Sequence, residues 1–155
     1  MALCRGTGGA ELRLVAGQAI IIMFAVPLRI DIDHDRRLVH TRAEGLIDLS
    51  EVLDYFDRVA VSDAMPYAKL FDATKARFSI SDDDMMVLGA RVSAYASMEP
   101  RGPIALVVGS DEDFVLGRRF ANLGGAKRPL QIFRDEEKGR KWLETQPGVT
   151  QPPPA

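Results

Sequence analysis

Between residues 67 and 98 the chain carries an apolar run, a polar elbow and a long amphipathic segment, and no other stretch constrains the fold as much. Tyr67-Ala68-Lys69-Leu70-Phe71-Asp72 reads as a strand, residues 73–80 as its loop and residues 81–98 as a helix. The next apolar run, Ile104-Ala105-Leu106-Val107-Val108, gives that helix a second strand to return to. Strand, crossover helix and strand make a βαβ unit, which implies a parallel sheet. Five apolar residues in a row suit a strand covered on both faces, so this run is expected inside the sheet and to be its most buried strand.

The flanking segments add layers to this unit. Leu28-Arg29-Ile30-Asp31-Ile32-Asp33 alternates strictly, the mark of a strand with one wet face. His34-Asp35-Arg36 makes a turn, residues 37–43 return as a second strand, and Gly45 is expected to break it. Asp48 and Glu51 then open a helix whose apolar positions Leu49, Val52, Leu53, Phe56 and Val59 recur at helical spacing. In the central helix, Ser81 and Asp84 form a capping pattern, and Met85, Leu88, Val92 and Ala96 form the apolar stripe. Ser110 or Asp111 opens a third helix, which Gly124-Gly125 closes. Leu130-Gln131-Ile132-Phe133 is the last strand and residues 135–144 the last helix. The expected fold is α/β: five mostly parallel strands in sequential order, the first antiparallel, with four helices, in the order β-β-α-β-α-β-α-β-α. The crossovers should place most helices on one face.

A chain of 155 residues is long enough for one domain with a proper core. The domain is expected over residues 28–145, with an extension at 1–27 and a proline-rich tail at 146–155. The apolar stretch Leu14-Val15-Ala16-Gly17-Gln18-Ala19-Ile20-Ile21-Ile22-Met23-Phe24-Ala25-Val26 faintly resembles a signal peptide. It lacks a small-x-small cleavage site and is short for a membrane span, so it is expected to be an N-terminal extension, with Met23 as an alternative start. Gly6-Thr7-Gly8-Gly9 follows no strand and opens no helix, which excludes a phosphate loop. A net charge of -2 gives no long-range attraction for nucleic acid. The single cysteine, Cys4, excludes an internal disulfide and a cysteine-based zinc site, and points to reducing cytoplasm.

The element order, together with Leu70-Phe71-Asp72-Ala73-Thr74, Ser79-Ile80-Ser81-Asp82-Asp83, Arg128-Pro129, Phe133-Arg134-Asp135 and Lys141-Trp142-Leu143, resembles the SpoIIAA-like fold of STAS domains. The nearest resemblance is to the uncharacterised bacterial STAS-like branch, over about residues 28–144. That resemblance implies a non-enzymatic regulatory or protein-interaction module. In anti-sigma-factor antagonists of the family a phosphorylated serine follows the aspartate at this elbow. Here Asp72 is followed by Ala73 and Thr74, without that serine and without the motif glycine, which places the antagonist role third. Thr74 is its nearest equivalent, with Ser79 and Ser81 close by.

The residues offer little catalytic chemistry. His34 and His40 sit at the tip and well down one hairpin, too far apart to share a metal, and read as two surface imidazoles. No Ser-His-Asp or Cys-His set, Walker lysine or dinucleotide fingerprint can be assembled, so neither a catalytic constellation nor a cofactor is expected. The acidic clusters Asp82-Asp83-Asp84, Asp111-Glu112-Asp113 and Asp135-Glu136-Glu137 each fall in a first helical turn, where carboxylates answer the helix dipole and the open N–H groups. They read as caps rather than metal ligands.

Two partner classes remain. One is another protein or a second copy of the chain, with a symmetric dimer burying the first strand and the apolar extension. The other is an apolar small molecule or lipid held between helices and sheet, where Met85, Met86 and Met98 line an adaptable pocket or simply fill the core. Stable membrane insertion and nucleic acid are not expected. Any ligand should sit beyond the carboxyl ends of the strands, against Asp72, Thr74 and Ser110, near Ser79 and Ser81. The long loop at 75–80 would cover it, with Arg77 free to move and Phe78 or Ile80 either lining the crevice or plugging the core.

Overall fold

The computed structural model describes residues 27–98, 100–123 and 128–149. Five strands form one sheet in sequential order: β1 (Leu28–Asp33), β2 (Leu38–Asp48), β3 (Ala68–Ser79), β4 (Ile104–Val108) and β5 (Leu130–Phe133). β1 pairs antiparallel with β2, and the other three pairings are parallel. The helices are α1 (Leu49–Val61), α2 (Asp82–Ala96), α3 (Asp111–Ala121) and α4 (Glu136–Glu144). Class, element order and strand order are those expected from the sequence. The run Ile104–Val108 lies inside the sheet, between β3 and β5. The N-terminal extension lies outside the described residues.

Alternation along the strands divides the core between two faces. Val39, Phe71 and Ala73 meet Tyr55, Phe56 and Val59 of α1 and Met85, Leu88 and Val92 of α2, with Leu116 and Phe120 of α3 packed against them. Ala68, Leu70, Ala105 and Val107 face the other way, onto Leu143 and Trp142 of α4. Three crossover helices therefore cover one face and α4 half of the other. The remaining face of β1 and β2 carries Arg29, Asp31, Asp33, Arg42 and Glu44, all exposed, as the alternating sequence implies.

Two expectations fail together. β2 does not stop at Gly45, and residues 73–79 are not a loop. β2 runs on to Asp48 and β3 to Ser79, with 44–48 paired in parallel to 75–79. The register shifts because two residues, Ala73 and Thr74, stand on β3 opposite the single Ala43 of β2. An extra residue of this kind frees a backbone N–H and bends its strand. The Asp72 carboxylate takes up that donor, accepting from Thr74 N at 3.0 Å and from Thr74 Oγ1 at 2.7 Å. Gly45 holds a φ of +82°, which glycine adopts without steric cost, so the strand passes through it. The long ribbon thus replaces the expected covering loop. Phe78 and Ile80 at its end pack against the three-helix core.

All four helix starts carry the expected caps. Asp48 accepts from Glu51 N at 3.1 Å, Ser81 from Asp84 N at 3.1 Å, Ser110 from Asp113 N at 3.2 Å and Asp135 from Glu137 N at 2.8 Å. The Asp84 carboxylate returns the bond to Ser81 N at 3.0 Å, completing a capping box.

Candidate functional site

The carboxyl ends of the strands bring together most of the residues expected there, but they are engaged with one another. Asp72 and Thr74 hold the bulge. Gly109, at the end of β4, lies under the Thr74 carbonyl so closely that a Cβ would stand 2.4 Å from it. Ser110 follows as the α3 cap. Ser81 caps α2, and Ser79 ends the ribbon opposite Asp48. Arg77 is not the free arm expected from a loop. Its guanidinium meets Glu112 at 3.0 Å and Asp113 at 3.5 Å. Asp113 is 3 % exposed, and a buried carboxylate needs such compensation; Phe78 N adds a donor at 3.3 Å.

The neighbouring charges are paired too. Arg134 meets Asp111 at 2.6 Å and donates to the Gly109 carbonyl at 3.2 Å, while Arg119 meets Asp82 at 2.7 Å. Among the described residues no group of three His, Cys, Asp or Glu could hold a metal ion.

The two histidines are less alike than their positions suggest. His34 is exposed at the hairpin tip, with Nδ1 2.8 Å from the Tyr67 hydroxyl. His40 is not a surface imidazole. It is half-buried where β2 passes under α4, 3.2 Å from Glu136. Burial first, and then the charge of Arg42, lower its pKa from the ordinary 6.5, while Glu136 pulls the other way. The unfolded chain therefore takes up this proton before the folded one does. Stability associated with His40 is present above about pH 6.5 and lost as pH falls below it. Denaturant midpoints at roughly pH 7.5 and 5.5 should show a larger loss in the wild type than in His40→Asn; equal losses would contradict this assignment.

Sequence pattern missed the amino-terminal edge of the sheet. Lys69 is only 2 % exposed, and its Nζ donates to the Met65 carbonyl at 2.6 Å and the Tyr67 carbonyl at 2.7 Å. Arg128, just before β5, is 8 % exposed. Burial, and then the charge of Arg101, bring its pKa down to about 10. Tyr55 lies beside it on α1, and burial pushes the phenol up to about 12. A lysine within a strand reads as solvated, so nothing short of the fold places these cations inside.

Two small cavities lie under the helices, of about 60 and 80 Å³, sharing Val52, Phe78, Leu106 and Phe120 as walls. Of the methionines expected at a pocket or in the core, Met85 is core. Met86 and Met98 are neither, since both point into solvent. Among the described residues no helix is long and apolar enough to cross a membrane. The chain matches no protein-family model and no curated protein.

Proposed function

We propose that this chain is a non-enzymatic protein-interaction module that docks through the outer face of α2. The observation that carries this reading is the chemistry of that face. Met86 is 75 % exposed and Val87 46 %, and beyond them Ala90, Ser93, Ala94 and Ser97 are all in solvent. Among the described residues no charged side chain stands on this face after Asp83. Arg91 turns aside to Asp57 at 2.8 Å, where the Tyr95 hydroxyl also donates. Solvated helices normally carry charge on the outer face, so an uncharged one marks a contact surface.

A second copy of the chain is the simplest occupant. The face is large at one end and small at the other. An antiparallel pair of α2 helices would set Met86 and Val87 of each copy against the small residues of its partner. The STAS-like resemblance supports a regulatory module of this kind, and the single cysteine supports a reducing cytoplasmic setting.

The other readings have less support. Cavities of about 60 and 80 Å³ fall well short of the roughly 300 Å³ at which ligand pockets begin, which weighs against a lipid carrier. A phosphate on Thr74 would face the Asp72 carboxylate that its hydroxyl now binds, which weighs against phosphoregulated antagonism. Among the described residues the carboxyl edge holds its acids and bases in ion pairs and caps, which weighs against an enzyme.

Ala90 sits where the axis of such a pair would pass. In a Cys4→Ser background, Ala90→Cys should oxidise readily to a disulfide-linked dimer, and Asp31→Cys on the wet sheet face should not. Equal cross-linking at the two positions, or none at Ala90→Cys, would contradict the reading.

A further inference from the structure

We infer that the outer edge of β2 at residues 45–48 is a docking site for the chain's own residues 23–26, which extend β1 along it as an antiparallel strand. The site is independent of the α2 face. The register of the β1–β2 hairpin is constant, from Asp33 opposite Leu38 to Leu28 opposite Ala43. It does not end where β1 does, because Glu44 N donates to the Pro27 carbonyl at 2.9 Å. β2 then runs on to Asp48, and its far side stays paired with β3 over 44–48. Among the described residues nothing pairs with 45–48 on the β1 side. An unpaired strand edge offers its N–H and C=O groups to another strand.

The side chains around this edge are apolar and incompletely covered. Leu46 is 67 % exposed. α1 begins directly after the edge, and its Leu49, Val52 and Leu53 are only partly buried. The segment that enters the sheet at Pro27 is Met23-Phe24-Ala25-Val26, apolar and without charge. Continued in the same register, Val26, Ala25, Phe24 and Met23 come opposite Gly45, Leu46, Ile47 and Asp48. Leu28, Ile30 and Ile32 of β1 pack against the three-helix core, so strand alternation turns Val26 and Phe24 to that side and sets Ala25 beside Leu46. A second copy of the edge fits less well. Two copies paired antiparallel about Leu46 would oppose Glu44 of each to Asp48 of the other, and like charges directly opposite are destabilising.

Disulfide trapping in the full chain tests the register directly. In a Cys4→Ser background, Ala25→Cys/Leu46→Cys should oxidise to a link within one chain, because directly opposed antiparallel positions hold their Cβ atoms about 4.5–5.5 Å apart. Phe24→Cys/Leu46→Cys should not, since a shift of one residue puts the two thiols on opposite faces. Oxidation at roughly 1 µM favours links within a chain, where the effective concentration is about millimolar. Non-reducing electrophoresis with intact mass separates them from links between chains. As a readout without new cysteines, Phe24→Lys should lower the thermal midpoint by roughly 5 °C, and Ala25→Lys by less than about 1 °C. Equal midpoints in these two variants would overturn the proposal. So would the absence of a link in Ala25→Cys/Leu46→Cys, equal linking in both cysteine pairs, or links only between chains, which assign the edge to a second copy.

Discussion

Gly102→Ala is expected to cost about 3 kcal/mol or more and to lower the midpoint of thermal unfolding by roughly 6–12 °C. A Cβ at this position would lie 2.1 Å from the Tyr67 carbonyl oxygen and 2.5 Å from that of Pro66. Both obstacles are backbone, so no side chain can swing away to make room. The turn cannot retreat either, because several bonds fix it. Gly102 N donates to Met65 O at 2.9 Å, Tyr67 N to Ala64 O at 3.0 Å, and the buried Lys69 Nζ to two carbonyls of the same turn. A midpoint within about 2 °C of the wild type would show that the turn shifts freely.

The second large effect is expected at Lys69. Lys69→Met keeps the length and apolar stem of the side chain and removes the ammonium. Met65 O would retain its bond from Gly102 N, whereas Tyr67 O, against which Gly102 packs, would lose the donor given to it by Lys69. A buried acceptor left without its donor costs about 1–3 kcal/mol, and the gain in apolar burial offsets part of it. The expected net loss is about 2 kcal/mol, read as a lower urea midpoint at unchanged slope. Because both substitutions act on the turn at 65–67, their double variant should lose less than the sum of the two. Strict additivity would separate Lys69 from the turn it is argued to hold.

The helix starts were legible in the sequence because caps are local: Ser81 with Asp84, and Asp48 with Glu51, satisfy N–H groups three residues away. The order of elements was legible because the apolar period changes between strand and helix. The 44–48/75–79 ribbon was not. Gly45 reads as a breaker and residues 75–80 as a covering loop, and the pairing that makes them strand joins residues about thirty positions apart. Arg77 and Asp113 fail for the same reason: the bulge that bends the ribbon onto α3 exists only once both strands are aligned. At the amino-terminal edge, the acceptors of Lys69 are backbone carbonyls, which leave no mark in side-chain pattern. The α2 face was visible only in part. Met86 at helical spacing suggested core or pocket, and which flank of the stripe it occupies depends on where α1 and α3 sit.

Sedimentation velocity of the full chain at roughly 1 and 100 µM, a span that covers weak self-association, tests directly whether the outer face of α2 docks. The wild type should shift from monomer toward dimer across that range, and Met86→Glu/Val87→Glu, which charges only exposed positions, should stay monomeric with an unchanged unfolding midpoint. A wild type that is monomeric throughout, or a double variant that dimerises equally well, would contradict it.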